Sequence, residues 1–409
     1  MTEVSGSISR DPAEPGGAGG YNPNNRVLIA KLEPLVGEAA LQRFMAENGF
    51  TYAPDAKPRR AARWHEWVLG TAPALSRACD KPATPVMAAL DLVNCCLRGI
   101  GQVMFMNNPF TGAAILLALF WQSLYVASFG VLGLVASTGA AIALQLDRGA
   151  EAGDCQVGDW RYSYVAFPVL LFAVLSTIIS VALGNVLVPV YSVPAFTLPF
   201  NLAMLLFVGT ALNSRSFPQP FTQSLLASDG GVEEYEVEWA RVFEAIPKGV
   251  GQVFLADSTV SGGVISGALF LCSPTAALAA LVGSAIGAFT ALAMQAPVEG
   301  IYAGLWGYNA VPGCMAIGGV FFYPSRTAAV LACLCAITCA YTGGLLAVVM
   351  HPLGLPSGTL PFCFGTLLFA LLQESVPSLE PVPLSDITTP ENHYLQRRAL
   401  PDALQSPAA

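Results

Sequence analysis

The sequence predicts an all-α protein that crosses a membrane many times and is built from two homologous halves. Two observations carry this reading. Of the 409 residues, 54% are hydrophobic and only 11% charged, against about 25% charge in a soluble domain. In addition, short motifs containing backbone-breaking residues occur twice, at comparable places in two apolar blocks, 83–213 and 246–373.

The apolar length is gathered in segments that carry no Asp, Glu, Lys or Arg, namely 99–146, 162–214, 258–298, 300–325 and 327–373. A bilayer core takes roughly 20 apolar residues per helix, so these segments imply about eight to ten crossings. An ordinary cytosolic enzyme is excluded. Residues 1–82 are polar and rich in Gly, Pro and Asn, with an amphipathic piece at Val27–Asn48 and no apolar leader core. Lys57, Arg59, Arg60 and Arg63 precede the first block, and Arg397 and Arg398 follow the last. The positive-inside rule therefore places both termini in the cytoplasm. Between the halves runs an acidic loop, 214–245, with Asp229, Glu233, Glu234, Glu236 and Glu238, and a polar tail, 374–409, follows the second block.

The net charge of −8 offers no basic surface for nucleic acid. His65, His351 and His393 are scattered, and Cys95, Cys96, Cys272, Cys314, Cys333, Cys335, Cys339 and Cys363 lack metal-ligand spacing. The cysteines read as small packing residues of membrane helices. No metal, cofactor or catalytic constellation is expected.

Gly101-Gln102-Val103 leads to Asn107-Asn108-Pro109-Phe110-Thr111-Gly112, and Gly251-Gln252-Val253 leads to Asp257-Ser258-Thr259-Val260-Ser261-Gly262. A second pair, Thr197-Leu198-Pro199-Phe200 and Thr359-Leu360-Pro361-Phe362, repeats four identical residues. Lipid leaves no backbone group unsatisfied, so interruptions of this kind must face protein or a wet path. Paired interruptions in two halves point to a transport site between them. The side chains suit a small, neutral, hydrogen-bonding solute. Gln102, Gln252, Thr197, Thr359 and Asn201 are uncharged donors and acceptors, Phe200 and Phe362 are flat walls, and the buried charges are limited to residues at motif edges such as Asp257 and Glu299.

Those motifs, with Ala296-Pro297-Val298-Glu299-Gly300-Ile301-Tyr302, Gly304-Leu305-Trp306-Gly307-Tyr308-Asn309, Pro383-Leu384-Ser385-Asp386 and Pro390-Glu391-Asn392, resemble the urea transporter family over residues 85–395. The resemblance implies two inverted halves with re-entrant half-helices around a central pore, and a homotrimer in the lipid bilayer of the plasma membrane. It implies passive passage of urea or related small amides. Gln102 and Gln252 would sit at half-helix ends, with Thr197 and Thr359 as central hydroxyls, Phe200 and Phe362 as slot walls and Leu198 and Leu360 beside them. Asn107, Phe110, Asp257 and Val260 would stand at the pore mouths.

The sequence departs from the family pattern twice. Asp257-Ser258-Thr259-Val260 replaces the expected Asp-Asn-Pro and aromatic residue, so a slot wall shrinks and the proline break is lost. The first half is also shortened: 101 to 198 spans 97 residues, whereas 251 to 360 spans 109. A missing first-half span would leave an incomplete wall opposite Gly307, Tyr308 and Asn309, which makes a non-conducting or regulatory variant the alternative to a urea channel.

Overall fold

The computed structural model describes residues 7–10, 50–53, 64–79, 84–143, 166–212 and 236–399. The chain divides into two compact units, residues 1–64 with 391–409, and residues 65–390. In the former, β1 (Ser7–Arg10) and β2 (Phe50–Ala53) pair antiparallel with Ser7 opposite Ala53 as a short two-stranded ribbon. The amphipathic Val27–Asn48 piece, the Lys57–Arg63 cluster, most of the acidic loop and the polar stretch 144–165 lie outside the described residues.

The larger unit is helical. Two short helices, α1 (Trp64–Val68) and α2 (Pro73–Cys79), precede α3 (Pro85–Gln102), α4 (Pro109–Gln122), α5 (Leu124–Ala143), α6 (Ala166–Tyr191) and α7 (Leu198–Ala211). The second half runs α8 (Trp239–Gly251), α9 (Thr259–Cys272), α10 (Pro274–Ala293), α11 (Val298–Tyr302), α12 (Ala310–Met315), α13 (Arg326–Met350) and α14 (Leu360–Ala370). A helix at Pro390–Ala399, α15, follows.

Among the described residues three helices are long and apolar enough to cross a membrane: Ala166–Tyr191, Pro274–Ala293 and Arg326–Leu353. The remaining apolar length, from which the sequence implies further crossings, includes the 20-residue α5, shorter helices such as Pro109–Gln122 and Leu198–Ala211, and one bent pair, Trp239–Phe254 with Thr259–Cys272, which turns by 76°. The bend shows that losing proline at Thr259 does not remove the break. Leu255 takes a left-handed φ of 56°, as Phe105 does at 59°, and Ser258 Oγ accepts Ser261 N at 3.3 Å, as Asn108 Oδ1 accepts Phe110 N at 2.8 Å and Thr111 N at 3.1 Å. A side-chain cap satisfies the first helical N–H groups whether or not proline follows.

The halves repeat residue for residue at first. Helices α4 and α9, and α5 and α10, have bounds that differ by 150. Thr111 Oγ1 donates to Ala268 O at 2.8 Å and, 150 positions on, Ser261 Oγ donates to Ala118 O at 3.3 Å. Reciprocal contacts of this kind define a two-fold relation. Because the start of each helix meets the end of the other, equivalent helices are antiparallel and the halves are inverted. The offset then becomes 162 at Thr197 and Thr359, so the second half has gained 12 residues between α10 and α14. The interval between α10 and α13 contains α11, α12 and a π-turn at Ala316–Val320, and its first-half counterpart, 144–165, lies outside the described residues.

Two further elements attach to the helices. Asn108 Nδ2 donates to Val68 O and Gly70 O at 2.8 and 2.6 Å, so the segment between α1 and α2 docks on the first half. After α14 the chain returns along the second half: Tyr323 N donates to Glu380 O at 3.0 Å, Val382 N to Phe321 O at 2.8 Å, and Leu379 and Val382 are buried.

The closest backbone approach in each half occurs at equivalent glycines. A methyl at Gly112 would land on the Leu97 carbonyl oxygen, and one at Gly262 on that of Pro247. Gly112→Ala and Gly262→Ala should each destabilise the protein by about 1–3 kcal/mol through forced separation of α3 from α4 or α8 from α9. Thermal unfolding in detergent checks this, with a lowered midpoint expected for both.

Candidate functional site

The two Thr-Leu-Pro-Phe motifs meet. Thr197 and Thr359 stand as the N-caps of α7 and α14, where proline at the second helical position needs no N–H partner. The residues before them, Phe196 and Gly358, both adopt left-handed backbone, with φ of 49° and 51°. Glycine takes this conformation freely, whereas for Phe196 it costs of order 1–3 kcal/mol, a strain of the kind concentrated at functional sites.

Thr197 Oγ1 and Thr359 Oγ1 lie 2.7 Å apart. Asn201, fully buried, ties the junction together. Its Nδ2 donates to Thr359 Oγ1 and to Thr197 O, both at 2.8 Å, and its Oδ1 accepts Thr359 N at 2.9 Å. Cys363 Sγ lies 3.3 Å from Thr197 Oγ1. From the segment between α10 and α13, Tyr308 Oη donates to Gly358 O at 2.8 Å, Asn309 Nδ2 donates to the same oxygen at 3.2 Å, and Asn309 Oδ1 accepts Phe362 N at 3.2 Å. The start of α14 is therefore held from both sides.

Aromatic rings pack beside the hydroxyls. Phe362 stands edge-on to Phe196 with centroids 5.4 Å apart and tilted to Phe105 at 6.2 Å, while Phe321 meets Phe105 at 5.2 Å and Phe196 at 5.3 Å. Leu198 packs against this group and Leu360 is buried. Phe200, paired with Phe362 by the sequence motif, is half-buried on α7 and has no ring partner among the described residues. Sequence reasoning missed Phe105, Phe196 and Phe321. The first two carry a signal in retrospect, since both precede or end a repeated motif.

The motif glutamines are not equivalent. Gln252 is buried and donates through Nε2 to Ala303 O at 2.9 Å, while Gln102 is half-buried without a side-chain partner among the described residues. Asn107 and Phe110 are exposed at the start of α4, and Asp257 and Val260 are exposed at the start of α9. They therefore lie at opposite ends of the antiparallel α4–α9 pair, and Gln122 Nε2 donates to Asp257 Oδ1 there. Asp257 and Glu299 are surface charges. Glu299 pairs with Arg241 at 3.1 Å, whereas Arg98 is buried and reaches Thr71 O at 3.0 Å, Asn107 O at 2.6 Å and Ser76 Oγ at 2.9 Å.

The segment between α10 and α13 needs space, which small residues provide. A methyl on Gly249 would meet Ser284 Oγ, Gly307 Cα and Gly304 O, and one on Gly287 would meet Trp306 O. In the first half the counterpart of Ser284 is Leu134, which is buried, and its Cδ1 would lie 3.1 Å from a methyl on Gly99, the counterpart of Gly249. A large side chain thus occupies the position where the second half admits backbone.

An all-helical membrane protein of two inverted repeats, joined at paired polar helix starts, is the class these features define. A family profile for urea transporters matches residues 93–374. The chain is 37% identical to urea transporter 1 of Ovis aries over 335 residues, covering 78% of this chain and 86% of that protein. It is 34% identical to urea transporter 1 of Mus musculus over 338 residues, with the same coverage. The chain belongs to the urea transporter family.

Thr359→Val keeps the side-chain shape but strands a buried N–H of Asn201. The loss should lower stability by about 1–3 kcal/mol, read as a lower denaturation midpoint, whereas Thr210→Val on exposed α7 surface should change it little.

Proposed function

We propose that the chain carries urea passively across the membrane along a path that passes the Thr197–Thr359 junction. The observation that carries this reading is the meeting of two hydroxyls and a group of phenyl rings at the inverted starts of α7 and α14. Urea is planar. Its faces tolerate phenyl contact while its four N–H groups require oxygen acceptors, and hydroxyl and carbonyl oxygens supply these at low desolvation cost. Gln102 and Gln252 at the half-helix ends, Leu198 and Leu360 beside the hydroxyls, and Phe200 and Phe362 complete the proposed path, with Asn107, Phe110, Asp257 and Val260 at its mouths. Both termini face the cytoplasm, the membrane is the plasma membrane and the assembly is a homotrimer. Nothing in the path couples to an ion gradient.

The shorter first half favours a second reading. Leu134 in place of Ser284, together with the 12-residue shortfall, supports a family member that conducts weakly or not at all and acts by assembling with intact protomers.

Stopped-flow urea efflux from liposomes containing the purified chain decides between the two. Dissipation of a urea gradient above the protein-free rate, independent of Na⁺ and H⁺ gradients, is the expected result. A rate equal to that of empty liposomes rejects conduction by the chain alone. In a conducting preparation, Thr359→Val should slow urea by about 2–12-fold, the size of one hydrogen bond, and Phe362→Ala should narrow the preference for urea over bulkier amides.

A further inference from the structure

A bond between two threonine hydroxyls has no inherent direction, and either oxygen of the Thr197–Thr359 pair can donate. Their neighbours differ, however. Asn201 and Cys363 occupy the same repeat position, 162 residues apart, and each contacts the hydroxyl of the opposite half. Asn201 Nδ2 lies 2.8 Å from Thr359 Oγ1, and Cys363 Sγ lies 3.3 Å from Thr197 Oγ1.

The amide of Asn201 is fixed by its other bonds. Its Oδ1 accepts the Thr359 backbone N–H, and its second N–H donates to Thr197 O. Its remaining N–H faces Thr359 Oγ1 at 2.8 Å and the Cys363 sulfur at 3.8 Å, and the hydroxyl oxygen is the nearer and stronger acceptor, so Thr359 Oγ1 accepts from Asn201. Were it also to accept from Thr197, both of its lone pairs would be filled and its own proton would have to turn away from the pair toward the path. If it donates to Thr197 instead, the Thr197 proton still finds the sulfur of Cys363, a weak acceptor. That order keeps every proton of the pair within the row.

We propose that Asn201 is a positioning residue that polarises the central hydroxyl pair, so that protons run Asn201 to Thr359 to Thr197 to Cys363. Each threonine oxygen then keeps one lone pair for an N–H of urea, and the junction discriminates in favour of solutes rich in donors. The inference rests on the urea path proposed above, and it gives the inequality of the two repeat positions a function: one end of the row donates and the other accepts.

Moving the amide across the two-fold relation tests this. In the double exchange Asn201→Cys with Cys363→Asn, the amide at position 363 faces Thr197 Oγ1 and the order reverses, with one lone pair still open on each oxygen. Urea efflux from liposomes, measured over a range of urea concentrations, should show the half-saturating concentration raised about 2–12-fold in Asn201→Cys alone and restored in the double exchange. Restoration distinguishes proton order from packing at position 201. A double exchange as impaired as the single variant, or an Asn201→Cys variant with unaltered half-saturation, overturns the proposal.

A second measurement requires no flux. The S–H stretching band of Cys363, isolated by infrared difference against Cys363→Ala, should shift in Thr359→Val and in Thr359→Ala, because both remove the donor to Thr197 while leaving the direct 3.8 Å contact of Asn201 Nδ2 with the Cys363 sulfur in place. An unmoved band in whichever of these variants folds also overturns the proposal. A silent wild-type chain would reject the urea path, and the band alone would then decide whether the row is ordered.

Discussion

Every helix broken inside the apolar blocks leaves N–H and C=O groups that lipid cannot satisfy, and the rest of the structure depends on how the protein answers them. At the centre the answer is Asn201. One side chain accepts the N–H of Thr359, donates to the carbonyl of Thr197 and donates to the Thr359 hydroxyl, so the starts of α7 and α14 satisfy each other across the junction. The outer breaks follow the same logic locally, with Asn108 and Ser258 capping α4 and α9. The two halves need one another because their unsatisfied groups are complementary.

Symmetry and its loss are both written in side-chain size. Where the halves match, the same glycines permit the same close contacts, as at Gly112 and Gly262. Where they diverge, Ser284 and Gly287 admit the backbone of residues 304–307, and the buried Leu134 stands at the position equivalent to Ser284 in the first half. Interiors are packed to near-crystalline density, so the close approach at Ser284 depends on its small size. The segment between α10 and α13 has a consequence at the junction. Tyr308 and Asn309 hold the Gly358 carbonyl and the Phe362 N–H, giving the start of α14 a second set of supports that comes from its own half.

Charge distribution and duplicated motifs made the fold class legible. Charge-free segments require a membrane because no aqueous surface accommodates them, and repeated Thr-Leu-Pro-Phe requires two related helix starts. The 12-residue difference between the halves was equally legible, as a matter of counting. Proline, by contrast, was a misleading marker at Thr259, because the bend there rests on the left-handed Leu255 and the Ser258 cap, which a serine provides without proline.

The sequence by itself determined the helical membrane class, the division into halves, the shortening of the first and the two threonines, since all of these depend on local pattern and composition. Only the tertiary structure decided which rings gather at the junction, that Asp257 and Glu299 lie at the surface, that Arg98 is buried, and that Gln252 is held by Ala303 while Gln102 is not. The physical reason is distance along the chain. Phe105, Phe196, Phe321 and Phe362 come together through the folding of both halves, and no local spacing relates residues whose proximity is set by how inverted repeats pack.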